Sequence, residues 1–171
     1  MSGNMFLYLQ NISGESMDED YGDQIDIHEW TWSMTNDAPL RLTGSDAITA
    51  HTSVKKITIS KMFDNASIAL INYCVNGTHI PEGIITCLKY TGEGEDDFRD
   101  AYLNIELTDV KIASVNWEGK GGETRGIPET VELDFLKFRI TYQKQSQEGN
   151  LTGRNSFSFD IPEQKAKPAG K

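Results

Sequence analysis

The sequence predicts a mainly β domain: a coiled antiparallel β-barrel or two-sheet sandwich, with one α-helix packed beside it. Three observations carry that prediction. Apolar residues alternate in short runs separated by turn residues along most of the chain. A single segment, Asn65 to Asn76, has helical spacing and recognisable ends. The alternation also changes phase at Phe135-Leu136, as in a strand that turns a corner of a barrel or sandwich.

The elements follow in order. Met5 to Leu9 reads as a strand covered on both faces. An acidic loop from Gly14 to Asp23 leads into Ile25 to Met34, where Trp30, Trp32 and Met34 share a face opposite Ile25 and Ile27. Asn36 to Thr52 has no clean period and contains Pro39 and Gly44, the marks of a long loop or a loosely paired extension, and long loops often carry function. Val54, Ile57 and Ile59 resume the β pattern. Asp64 then stands as the expected helix N-cap, accepting from first-turn amides through its carboxylate. Phe63 and Ile68 have the spacing of a hydrophobic staple, Ile68, Ile71 and Val75 form one apolar stripe widened by Leu70 and Cys74, and Gly77 ends the helix.

Beyond the helix, Ile84 to Thr91 is a strand, and Gly92 to Asp97 an acidic turn. Tyr102 to Leu107 and Val110 to Trp117 are strands joined by a bend at Thr108-Asp109, and Glu118 to Gly126 is a glycine-rich connector. Val131, Leu133 and Phe135 point one way, while Leu136, Phe138, Ile140 and Tyr142 point the other, which requires a bulge or sharp bend between them. Phe157 and Phe159 mark a last strand. Residues 1–161 are expected to form one domain, and Pro162 to Lys171 a disordered tail.

Composition excludes several functions. Acidic residues outnumber basic ones by 26 to 16, a formal charge of −10, which speaks against binding nucleic acid through its phosphates. Membrane insertion is not expected, because no run approaches the roughly 18 apolar residues of a spanning helix. The N-terminus lacks a signal-peptide pattern, so the protein is expected to be made in the cytosol. Cys74 and Cys87 form no CxxC pair and are expected to be reduced.

Catalytic and cofactor signatures are missing from the pattern. His28, His51 and His79 match no metal-ligand spacing, no serine lies in a GxSxG context, and Gly92-Glu93-Gly94 precedes carboxylates that would repel a phosphate. The expectation is therefore no enzyme, no metal and no cofactor. Two other readings stay open at this point. Glu15, Asp18, Glu19, Asp20, Asp23 and Asp26 are hard oxygen donors of the kind calcium takes, although they break the EF-hand pattern. Trp30 and Trp32 are expected to be core or interface aromatics, the alternative being a platform for a sugar or small ligand in a binding barrel.

Gly14-Glu15-Ser16 followed by Ile25-Asp26-Ile27-His28-Glu29-Trp30-Thr31-Trp32 resembles the opening of the haemolysin-coregulated proteins, the Hcp tube subunits of bacterial type VI secretion. Ile57 to Ser67 resembles that family's strand, its K-x-x-D-x-x-S pattern and its helix, with Lys61, Asp64 and Ser67 at the pattern positions. Tyr102 to Ile112 and Pro128 to Phe135 resemble two further family strands, although Leu136 replaces a usual tyrosine.

The resemblance implies homo-hexameric rings that stack into a tube. It further implies a contractile sheath and spike proteins as partners, and effector proteins carried in the lumen. Export would then follow contraction, from the bacterial cytoplasm to the medium or a target cell, without a signal peptide. Phage tail-tube proteins are similar in fold and form the close alternative. The family's loop towards neighbouring subunits maps onto about Met34 to Ser53, which makes Asn36, Pro39, Leu40, Arg41, Leu42 and Thr43 candidate interface residues.

Overall fold

The structure, a computed structural model, describes residues 4–37, 52–91, 98–122, 126–146 and 151–168. The chain runs through β1 (Met5–Leu9), β2 (Ile25–Asp26), β3 (Glu29–Thr31), β4 (Met34–Asn36), β5 (Thr52–Val54) and β6 (Ile57–Met62) to α1 (Asn65–Asn76). It continues through β7 (His79–Thr91), β8 (Phe98–Trp117), β9 (Pro128–Gln145), β10 (Leu151–Asp160) and β11 (Lys165–Pro168).

Long β8 and β9 organise the fold. They pair with each other from Leu103↔Tyr142 to Trp117↔Glu129. The first half of β9 takes β6 on its other edge, from Met62↔Pro128 to Ile57↔Leu133, and the second half takes β10, from Lys137↔Asp160 to Gln145↔Leu151. The other edge of β8 carries β7, then β1, then β2. All pairings are antiparallel. The path of strands is open, from β11 to β2, and it folds into a sandwich rather than the closed barrel left open by the sequence.

Both long strands change their buried face at one level. On β8 the inward residues pass from Ile105 and Leu107 to Val110 and Ile112, and on β9 from Phe138 to Phe135 and Leu133. Asp109 takes up the change with φ 55°, a left-handed conformation that asparagine and aspartate tolerate better than most residues. The pairing stays in register across it, Thr108↔Lys137 and Val110↔Phe135. The change expected at Phe135-Leu136 is thus a bend and not a bulge. The slip in this ladder lies between Ile112 and Ser114.

The single strand expected from Ile25 to Met34 is three short ones, because the segment changes partners. β2 pairs with β1, Ile27 N–H reaches Met5 O (3.1 Å), His28 N–H reaches Ser60 O (2.8 Å), and β3 then pairs with β6. Ile25 and Ile27 are buried, and Trp30 and Trp32 pack half-buried on the same core.

α1 keeps one part of its expected stripe on the core, Leu70 and Cys74, and turns another part outward. Its core face is Ala66, Ser67 and Leu70, continued by Tyr73 and Cys74, whereas Ile68 and Val75 are 64 % and 78 % exposed. Phe63 meets Trp117 edge-on. The apolar residues cover so much of the helix circumference that their period alone does not select a face. Gly77 closes α1 with φ 61°, its N–H on Cys74 O at 3.3 Å.

The C-terminal segment is a further correction. Residues 165–168 of the expected tail form β11, paired with β10 from Asp160↔Lys165 to Phe157↔Pro168. Lysines and a proline look like a tail in sequence, yet they also suit an edge strand, where charge and a missing N–H discourage further pairing.

Candidate functional site

Two polar arrangements stand out, one beneath the helix start and one at the β4–β5 hairpin. The first is built from residues that the strand parity directs inward. Lys61 follows Ile57 and Ile59 on β6, and Glu129 precedes Val131 and Leu133 on β9, so both side chains enter the core with those apolar neighbours. Lys61 Nζ donates among Glu129 Oε2 (2.6 Å), Asp64 Oδ1 (2.7 Å), Met62 O (2.8 Å) and Ser67 Oγ (3.0 Å). Glu129 also accepts from Ser67 Oγ–H at 2.7 Å and from Trp117 Nε1–H at 2.8 Å. Both charges are fully enclosed, and such a pair persists only when its remaining protons and lone pairs are engaged, as here.

The same cluster starts the helix. Asp64 stands at the N-cap of α1 as expected, in a capping box with Ser67 in which Asp64 N–H donates to Ser67 Oγ at 3.0 Å, and its carboxylate holds Lys61 as well. Glu15 adds a further acceptor at the helix start, taking Asn65 N–H on Oε1 at 3.1 Å. Gly14 beside it admits no side chain, since a Cβ there would lie 2.3 Å from Gln24 O. The sequence motifs around Gly14 to Ser16 and Lys61 to Ser67 therefore meet in space as one joint between the N-terminal loop, β6, α1, β8 and β9.

The acidic loop is folded rather than fanned out. Asp18, buried, pairs with Arg99 and accepts Asp20 N–H (3.1 Å) and Tyr21 N–H (3.3 Å) on Oδ1. Tyr21 stacks on Phe6 with centroids 4.8 Å apart. Asp26 lies near this loop with Oδ1 buried and unpartnered, and burial above all pushes its carboxyl upward, helped by the charges of Asp18 and Asp64. Burial likewise pushes the Cys87 thiol upward, and Cys74 and Cys87 are both free thiols.

Of the interface candidates, Asn36 ends β4 opposite Thr52 and is exposed, whereas Pro39, Leu40, Arg41, Leu42 and Thr43 lie outside the described residues. Trp32 wedges between hairpin and core. Its ring meets Phe138 and Phe135 edge-on at 4.7 and 5.7 Å, and its Nε1–H donates to Lys55 O at 2.9 Å. A concavity of about 770 Å³ is an open groove where Lys137–Asp160 (3.1 Å) and Arg139–Glu106 (3.7 Å) already pair charge with charge. Sequence reading did not assign Lys61, Glu129 or Glu15 these contacts. For Lys61 and Glu129 the signal was present, as a charged residue at an inward position of an alternating strand.

These features define a class: a two-layer β subunit with one helix, whose polar groups are spent on joints between its elements. The family model described as "Type VI secretion system effector, Hcp" matches residues 6–142. The chain is 30 % identical over 153 residues to Protein hcp1 of Pseudomonas aeruginosa, covering 90 % of this chain and 91 % of that one. Among solved structures, Hcp1 from Salmonella typhimurium superposes with a TM-score of 0.73 at 26 % identity, over 98 % of this chain and 100 % of the other. A type VI secretion system effector from Yersinia pestis gives 0.71 at 25 %, over 92 % and 99 %. The chain belongs to the Hcp family of type VI secretion, and is a structural tube subunit of that system.

Proposed function

We propose that this tube subunit assembles into hexameric rings which stack head-to-tail inside a contractile sheath, capped by spike proteins and carrying effectors in the lumen. The observation that carries this is agreement in both sequence and fold with Hcp proteins over nearly the whole chain. Rings and tubes need extended heterologous surfaces rather than a cleft, and the open groove with its paired charges fits that need. The protein acts without catalysis, as one domain, and passes from the bacterial cytoplasm to the exterior when the sheath contracts. Among the described residues no helix is long and apolar enough to cross a membrane.

Mass photometry at micromolar concentration and moderate salt is expected to give a discrete species of six subunits, seen as rings in negative stain. Monomers alone under those conditions would defeat the reading.

A further inference from the structure

We propose that a concave patch on β7, β8 and β9, on the sheet face turned away from the core, binds a small acidic sugar. Arg154 takes its carboxylate, and Thr86, Asn104 and Thr141 take its ring hydroxyls. The site goes beyond the assembly reading above and does not depend on it.

Strand parity places the three polar residues together. Ile85 and Cys87 on β7, Leu103 and Ile105 on β8, and Phe138 and Ile140 on β9 all pack on the core. Thr86, Asn104 and Thr141 alternate with them and so face the other way. They lie directly opposite one another, as Thr86↔Asn104 and Asn104↔Thr141, and make one cross-strand row. Such a face is ordinarily open to water, yet Thr86 and Thr141 are only 6 % and 4 % exposed.

Walls on both sides enclose the row in a cavity of about 420 Å³, within the range of small-molecule sites. On the β1 side stand Tyr8 and Tyr21, the latter fixed by its stacking on Phe6. On the β10 side stands Arg154, which follows Gly153 (φ 63°) at the irregularity between Thr152 and Arg154.

The groups lining this cavity are uncommitted. Among the described residues the side chains of Thr86, Asn104 and Thr141 make no hydrogen bond, and Arg154 engages no carboxylate. Gln24, on the Tyr21 side, has its Oε1 buried without a partner. Nearly buried polar groups are ordinarily paired, so an unserved row beside a cavity marks a place for a ligand that pairs them. Glu106 also lines the cavity but already meets Arg139 at 3.7 Å, which leaves Arg154 as the cation for the ligand.

The chemistry of the lining selects the class. Threonine hydroxyls and an asparagine amide both donate and accept, as ring hydroxyls require. The guanidinium fork matches a carboxylate, and a single negative charge suits one arginine near Glu106 better than a phosphate dianion would. Ile84, Ala101 and the tyrosine rings offer apolar surface to the C–H face of a sugar ring.

Isothermal titration calorimetry of the full chain compares glucuronate, glucose and acetate on the wild type, Arg154→Gln and Thr141→Val. Glucuronate is expected to bind saturably, with glucose and acetate each at least about tenfold weaker. Arg154→Gln, an exposed position, should weaken glucuronate about tenfold and leave glucose unchanged. Thr141→Val keeps the shape of the row, removes one hydroxyl and should weaken both sugars, with thermal melts showing that both variants stay folded. No saturable heat from glucuronate would overturn the site, whether or not the subunit forms rings. Acetate binding as tightly as glucuronate would overturn the sugar, and equal affinity of wild type and Arg154→Gln for glucuronate would overturn the acidic class.

Discussion

Lys61 and Glu129 occupy inward strand positions that would ordinarily hold isoleucine or valine, and their stability rests on each other. Lys61→Met leaves Glu129 enclosed without its cation and is expected to cost about 3–5 kcal/mol in urea unfolding. The double variant Lys61→Met/Glu129→Leu should recover much of that loss. Asp26 has the opposite character. Its carboxyl is pushed up in the folded protein, so the folded state holds a proton more readily than the unfolded one. The resulting penalty is present at neutral pH and fades as pH falls through the raised value towards the ordinary carboxylate range near about 3.9. Asp26→Asn should therefore raise Tm at pH 7 and lose that advantage as pH falls below the ordinary carboxylate range, measured by thermal melts.

At the scale of elements, α1 separates what pattern can say from what packing decides. Its extent and its Gly77 stop are read directly from spacing, yet Ile68 and Val75 face outward and Leu70 inward. Leu70→Ala is expected to cost about 2–5 kcal/mol, whereas Ile68→Gln or Val75→Gln should stay within about 0.5 kcal/mol of wild type. Chemical denaturation of the three variants checks both figures. β1 and the bend at Asp109 were legible because each is fixed by alternation within a few residues. The break of β2 from β3 was not, since it reflects a change of partner between β1 and β6, which are distant in sequence. β11 escaped for a related reason: an edge strand is made by the neighbour it finds, here β10, and its own residues read as solvent-loving. Of the candidate site, the tryptophans were legible as packed aromatics, but the polar joints depend on residues brought together from far apart.

For the whole molecule the charge of −10 sets the conditions of assembly. Copies brought side by side repel one another, and the reach of that repulsion falls from about 30 Å at 10 mM salt to about 10 Å at 100 mM. Sedimentation velocity should therefore show longer stacks as salt rises over that range. The long β8–β9 hairpin has a consequence for how the chain reaches its final form. Its nearest pairing, Trp117↔Glu129, closes a short connection, whereas Leu9↔Gly83 and Ile57↔Leu133 bring together distant parts of the chain. Closing a longer loop costs more entropy, about 0.6 kcal/mol for each doubling, so β8 and β9 are placed to find each other first. Once formed, they offer edges to β6, β7 and β10 together, and one early ladder becomes the template on which both layers of the sandwich are laid down.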